Sequence, residues 1–186
     1  MDQGLIPRRY AKALYLYAVE RHCDRPLYEV MRRLSAAFGR EPGLNDALAN
    51  PFVAYPDKQA LVLAAVGGET GKEAEDAAFA DFLKLLGQNK RLDMLREIAL
   101  AYIAIYRKEN RIFRVAVTTA APVSSQDMKR IHALVGKHLP DGASAEYTEA
   151  VDSALIGGFT VAIDNERLDA SVANELKQLR LKLLSN

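Results

Sequence analysis

One cysteine, Cys23, stands in 186 residues. An internal disulfide is thereby excluded, and such usage fits a reducing compartment. No apolar run approaches the roughly 20 residues that a membrane-spanning helix needs, and the start Met1-Asp-Gln-Gly has neither the basic residues nor the apolar stretch of a signal peptide. The expectation is a cytosolic protein unless a partner tethers it. Charge of one sign is also missing: 25 Lys and Arg face 24 Asp and Glu, a net charge of +1. No bulk field therefore draws the chain to nucleic acid or to an anionic surface, and partners must be found through shape and apolar contact.

Assembled chemistry is scarce as well. His22 adjoins Cys23, and His132 and His138 have no cysteine or histidine at ligand spacing, so no metal site is expected. Cys23 lies beside Asp24, which disfavours a thiolate. Gly68-Glu-Thr-Gly71-Lys72 is too short for a phosphate-binding loop, Glu73 follows its lysine, and the preceding segment reads as helix; a polar loop between helices is expected. No cofactor and no catalytic residue is implied.

What is present is an ordinary globular composition, 49% apolar and 26% charged, in a chain long enough for one sizeable core or two small ones. Apolar spacing predicts a helix from Pro7 to His22 through Tyr10, Leu14, Tyr17 and Ala18, with Ala11 and Ala13 small enough to admit another helix closely. A second runs from Pro26 to Phe38 and stops at Gly39. A short third covers Leu44 to Leu48 before Asn50-Pro51, and a fourth begins at Pro56-Asp57 and ends at Gly67-Gly68. Asp76 to Leu86 carries Phe79, Phe82, Leu83 and Leu86. After the Gly87-to-Arg91 break, Leu92 to Lys108 is the longest helix, with Leu95, Ile98, Ala99, Tyr102, Ile105 and Tyr106 on one stripe. Six helices with short connections predict a bundle.

At Asn110-Arg111 the period changes from helical to alternating. Ile112 to Thr119 reads as a strand, Ser124-Ser125 opens a helix through Met128, Ile131, Leu134 and Val135, and Ala143 to Val151 reads as a strand with Ala145, Tyr147 and Val151 on one face. Phe159, Val161 and Ile163 then alternate with Thr160, Ala162 and Asp164, and Asp164-Asn165 suits a tight hairpin turn. Asp169 to Ser171 offers N-cap candidates for a last helix with the apolar face Val172, Leu176, Leu179 and Leu183. Gly157-Gly158 allows a backbone approach that a Cβ would forbid. The predicted fold class is α+β: an N-terminal six-helix bundle over residues 1–108, then a small α/β domain of β-α-β-β-α order over residues 109–186.

Ile156-Gly157-Gly158-Phe159 followed by Asp169-x-Ser171 resembles the C-terminal signature of the δ subunit of bacterial F-type ATP synthases, the counterpart of the mitochondrial oligomycin-sensitivity-conferring protein. Asp164 and Ala170 stand where that family often has glycine. Tyr10-Ala-Lys-Ala-Leu14 resembles its N-terminal motif, Leu86-Gly-Gln-Asn89-Lys-Arg91-Leu92 its break before the last helix of the first domain, and Val115-x-Val117-Thr-Thr-Ala-Ala-Pro122 falls in the family's order. The resemblance spans nearly the whole chain.

The resemblance implies a non-catalytic peripheral-stalk (stator) subunit in ATP synthesis and proton transport, held at the cytoplasmic face of the bacterial inner membrane by its complex. It implies that the helical domain binds an N-terminal segment of an α subunit between the first and fifth helices, at Tyr10, Ala13, Leu14, Tyr17, Phe79, Phe82, Leu83 and Leu86 with Asn89 at the edge. It implies that the second domain binds the b subunit, with Phe159, Val161, Leu176, Leu179 and Leu183 divided between that contact and the domain's own core. Gly157, Gly158, Asp169 and Ser171 are assigned to turns and a cap. The alternative is a helical nucleic-acid-binding protein of transcription or RNA processing, suggested by Arg107, Lys108, Arg111 and Arg114 around Tyr106; steep salt dependence of RNA binding would distinguish it.

Overall fold

The computed structural model describes residues 4–67, 74–164 and 166–184. Two units emerge, Met1–Lys108 and Glu109–Asn186. The expected polar loop over residues 68–72 and the turn residue Asn165 lie outside the described residues.

In the first unit the described elements are α1 (Leu5–Glu20), α2 (Asp24–Arg40), α3 (Gly43–Ala49), α4 (Tyr55–Val66), α5 (Ala74–Gln88) and α6 (Leu95–Glu109). The helix expected from Leu92 starts at Leu95, because Leu92–Met94 forms a 3-10 turn first. Helices α1, α2, α5 and α6 each bury one stripe, as the 3.6-residue period requires. On α2 it is Leu27, Val30, Met31, Leu34 and Phe38; on α6 it is Leu95, Ile98, Ala99 and Tyr102, with Ile103 buried where Ile105 is half-buried. Aromatic and polar contacts then fix α2 against α6. The Tyr28 and Tyr106 rings stack 4.3 Å apart, Arg107 Nε donates to Tyr28 Oη at 2.9 Å, and Tyr102 Oη donates to Asp24 O at 3.1 Å. Tyr15 meets Tyr102 and Tyr106 edge-on, the arrangement ring quadrupoles prefer. Burial raises the phenol pKa of both Tyr102 and Tyr106, so both hydroxyls stay protonated at neutral pH.

The second unit is a four-stranded mixed sheet: β1 (Ile112–Thr119), β2 (Ser144–Val151), β3 (Gly158–Ile163) and β4 (Glu166–Ser171) in the order β2-β1-β3-β4, with α7 (Ser125–Gly136) between β1 and β2 and α8 (Val172–Leu184) last. The β1–β2 pair is parallel, as a helical crossover demands; β1–β3 and β3–β4 are antiparallel. Ser124 caps α7: its hydroxyl accepts from the Asp127 N–H at 3.2 Å. One face of α7, Ile131 and Val135, covers Val115, Val117 and Val161, with Met128, Ala145, Tyr147, Phe159 and Ile163 around them. Val151, expected on that face, is exposed instead. It ends the edge strand opposite Thr119.

Candidate functional site

The residues expected between α1 and α5 fall into two groups. Leu14, Phe79, Phe82, Leu83 and Leu86 are no more than 6% exposed and belong to the core of their own unit. In the chain by itself these side chains pack within their own unit. What remains at the surface is one edge of α1, where Tyr10 and Tyr17 are half-buried and Ala13 is exposed, with Asn89 exposed past the end of α5. Tyr17 Oη reaches Asp81 Oδ2 at 3.5 Å, a long polar contact that bridges the two helices where the furrow lies.

In the second unit Val161 is buried in the core and Phe159 packs half-buried against it. Leu176, Leu179 and Leu183 are not in that core at all: they are 52%, 56% and 79% exposed. Together with Val172 at the first turn they fall at positions i, i+4, i+7 and i+11, a single stripe along α8. Leu168, on β4 opposite Val161 and so on the α7 side of the sheet, is likewise exposed, because α7 does not reach the edge strand.

The glycines and the cap explain how α8 is aimed. Gly158 has φ +76°, and a Cβ there would run into the Ala170 carbonyl of the neighbouring strand. At Gly157 a Cβ would lie 2.9 Å from Val172 Cγ2, and the Gly157 carbonyl accepts the Val172 N–H at 3.0 Å. The start of α8 is thus pressed against the Gly157-Gly158 backbone. Ser171 is the cap, its hydroxyl accepting from the Asn174 N–H at 3.2 Å. Asp169 does not cap the helix itself; its Oδ1 accepts from Ser171 N at 3.1 Å and from Ser171 Oγ at 2.6 Å, which fixes the capping hydroxyl. Those bonds favour the carboxylate and lower the Asp169 pKa.

Other candidate chemistry is absorbed by the fold. Arg107 is tied to Tyr28, and Arg114 pairs with Asp164, donating from its backbone N–H at 3.2 Å with Nε at 3.8 Å. His132 is half-buried with its ring stacked 3.7 Å from that of Tyr147. Cys23 is buried at the entry to α2. Among the described residues no His/Cys/Asp/Glu group is arranged for a metal, and no helix is long and apolar enough to cross a membrane. A cavity of about 600 Å³ beside Tyr55, Lys58 and Leu92 is lined by none of the expected site residues. Sequence reasoning misses two exposed apolar side chains near α8, Ile156 and Leu168; the alternation in β3 carries no signal for either.

Comparison with known proteins covers nearly the whole chain. ATP synthase subunit delta of Parabacteroides distasonis is 38% identical over 186 residues, covering 100% of this chain and 99% of that one. The same subunit of Phocaeicola vulgatus is 36% identical over 98% of this chain and 95% of its own length. Among solved structures, a chain of the mitochondrial ATP synthase hexamer of Toxoplasma gondii, seen by cryo-electron microscopy, superposes with a TM-score of 0.63 at 25% identity, covering 96% of this chain and 97% of that one. The family profile described as ATP synthase delta (OSCP) subunit matches residues 6–183. The chain belongs to the ATP synthase delta (OSCP) subunit family.

Proposed function

We propose that this chain is the peripheral-stalk subunit of an F-type ATP synthase, a non-catalytic link that holds the catalytic head to the b-subunit stalk against the torque of the rotor. Residues 1–108 act as a helical bundle that takes an amphipathic α-subunit segment at the Tyr10–Ala13–Tyr17 edge of the α1–α5 furrow. Residues 109–186 take the b subunit on α8. The protein sits peripherally at the cytoplasmic face of the membrane through these partners.

The observation that carries this reading is the uncovered stripe Val172, Leu176, Leu179 and Leu183. The second unit builds its core without it, and contiguous apolar surface left in water is the mark of a surface that a partner covers. For a near-neutral protein that is also the right source of affinity: nanomolar binding needs about −12 kcal/mol, which a few well-buried anchors supply.

Affinity capture of the full chain from native membranes tests the proposal. The α and b subunits are expected to copurify, and deletion of residues 180–186, which removes the Leu183 end of the stripe, is expected to release b while retaining α. Retention of b by the truncated chain, or recovery of neither subunit, would contradict the proposal.

A further inference from the structure

Ile156 occupies a backbone conformation that β-branched residues rarely adopt. It sits at φ 64° and ψ −39°, and the Gly157 N–H donates to Leu155 O at 2.7 Å. This is a γ-turn of the strained sign, in which an L side chain is crowded by its own backbone. Such a conformation persists only where the surroundings over-determine it, and here they do. Asp152 Oδ1 accepts the Ala154 N–H at 2.9 Å on one side, and the Gly157 carbonyl holds the Val172 N–H at 3.0 Å on the other.

The isoleucine repays nothing to its own unit, being 69% exposed. Glycine would take the same φ without strain. A fold that lifts a branched apolar side chain into water at a cost in backbone energy gains from it elsewhere. The location says where: Gly157, the next residue, touches Val172, the first residue of the α8 stripe. Ile156 therefore stands beside the N-terminal end of that stripe. From its middle to its end α8 carries three cationic side chains, Lys177, Arg180 and Lys182, with Glu175 nearer its start. An apolar stripe flanked by Arg180 and Lys182 is complementary to an amphipathic helix with an acidic edge.

We propose that Ile156 is an anchor of the stalk-docking surface: its γ-turn presents the side chain beside the α8 stripe, where it is covered by an acid-edged amphipathic helix of the b subunit and sets how far along α8 that helix lies. This rests on the reading of α8 as the b-subunit site and adds the residue that fixes the partner's register.

Three variants of the full chain test it, each titrated with a soluble b-subunit fragment and each followed by amide exchange of β3 and β4. Ile156→Gly is expected to slow that exchange, because strain is relieved, and yet to weaken binding by about tenfold, or about 1.4 kcal/mol. Ile156→Ala is expected to weaken binding to the same degree without the gain in protection. Leu179→Asp, which charges the middle of the stripe, is expected to abolish binding. Native affinity of both Ile156 variants beside a lost Leu179→Asp interaction would overturn the anchor and leave the α8 reading standing; native affinity of all three would overturn both. Faster exchange in Ile156→Gly would show that the isoleucine serves the fold, and would also overturn the proposal.

Discussion

Gly158 and Gly87 illustrate two different reasons for lacking a side chain. At Gly158, φ is +76° and a Cβ would strike the Ala170 carbonyl, part of a paired strand that cannot yield without breaking the β3–β4 ladder. At Gly87, inside α5, a Cβ would meet the ring of Tyr55, a side chain that can turn. Alanine there also recovers about 1 kcal/mol of helix propensity. Gly158→Ala is therefore expected to cost at least about 2 kcal/mol, and more than Gly87→Ala. Denaturant titration of both variants measures the difference; a Gly158→Ala protein as stable as the native one would show that the strands do not approach in this way. Residue chemistry is legible where a residue type advertises its conformation. Asp164, chosen as a turn residue, has φ +47° between two paired strands, and Ser171 caps α8. Ile156 is illegible for the opposite reason: nothing about an isoleucine announces a positive φ, and only the backbone around it imposes one.

At the scale of the element, periodicity reveals which face of a helix is apolar but not what covers it. Phe79, Phe82, Leu83 and Leu86 on α5 and Leu176, Leu179 and Leu183 on α8 have the same spacing, yet the first set is sealed inside its own unit and the second lies in water. The difference depends on which neighbours the chain brings alongside. For α8 the main neighbours are β4 and the turn Ser153–Leu155, whereas α5 has helices packed against it, α1 and α2 among them. Substitutions on the two kinds of face should consequently report different things. Leu86→Ala is expected to cost about 2–5 kcal/mol of stability as a cavity opens in the core. Ala13→Asp, on the exposed edge of α1, is expected to leave the unfolding midpoint within the range of ordinary surface changes and to weaken binding of an α-subunit N-terminal peptide to the full chain by tenfold or more, on the order of 1.4 kcal/mol. Calorimetric titration decides the point, and unchanged affinity would remove Ala13 from the interface. The broad secondary structure is readable from spacing alone; the start of α6 is not, because Leu92 continues the apolar pattern through a 3-10 turn that differs from α-helix only in its hydrogen bonds.

For the molecule as a whole, the change from helical to alternating period at Asn110-Arg111 lies next to the division after Lys108. Each unit closes a core of its own, and each leaves a different surface exposed: the small-residue edge of α1 in the first, the long apolar stripe of α8 in the second. A link that carries mechanical load needs two grips that hold at once. It also needs neither to loosen when the other engages, so the two surfaces should bind independently. The most direct measurement is calorimetric titration of the full chain with the α-subunit N-terminal peptide, first alone and then with a b-subunit fragment at saturation. The account predicts one peptide per chain in both titrations, with the same Kd, and a ternary complex of all three components. Displacement of the b fragment by the peptide, or no binding of either one, would contradict it.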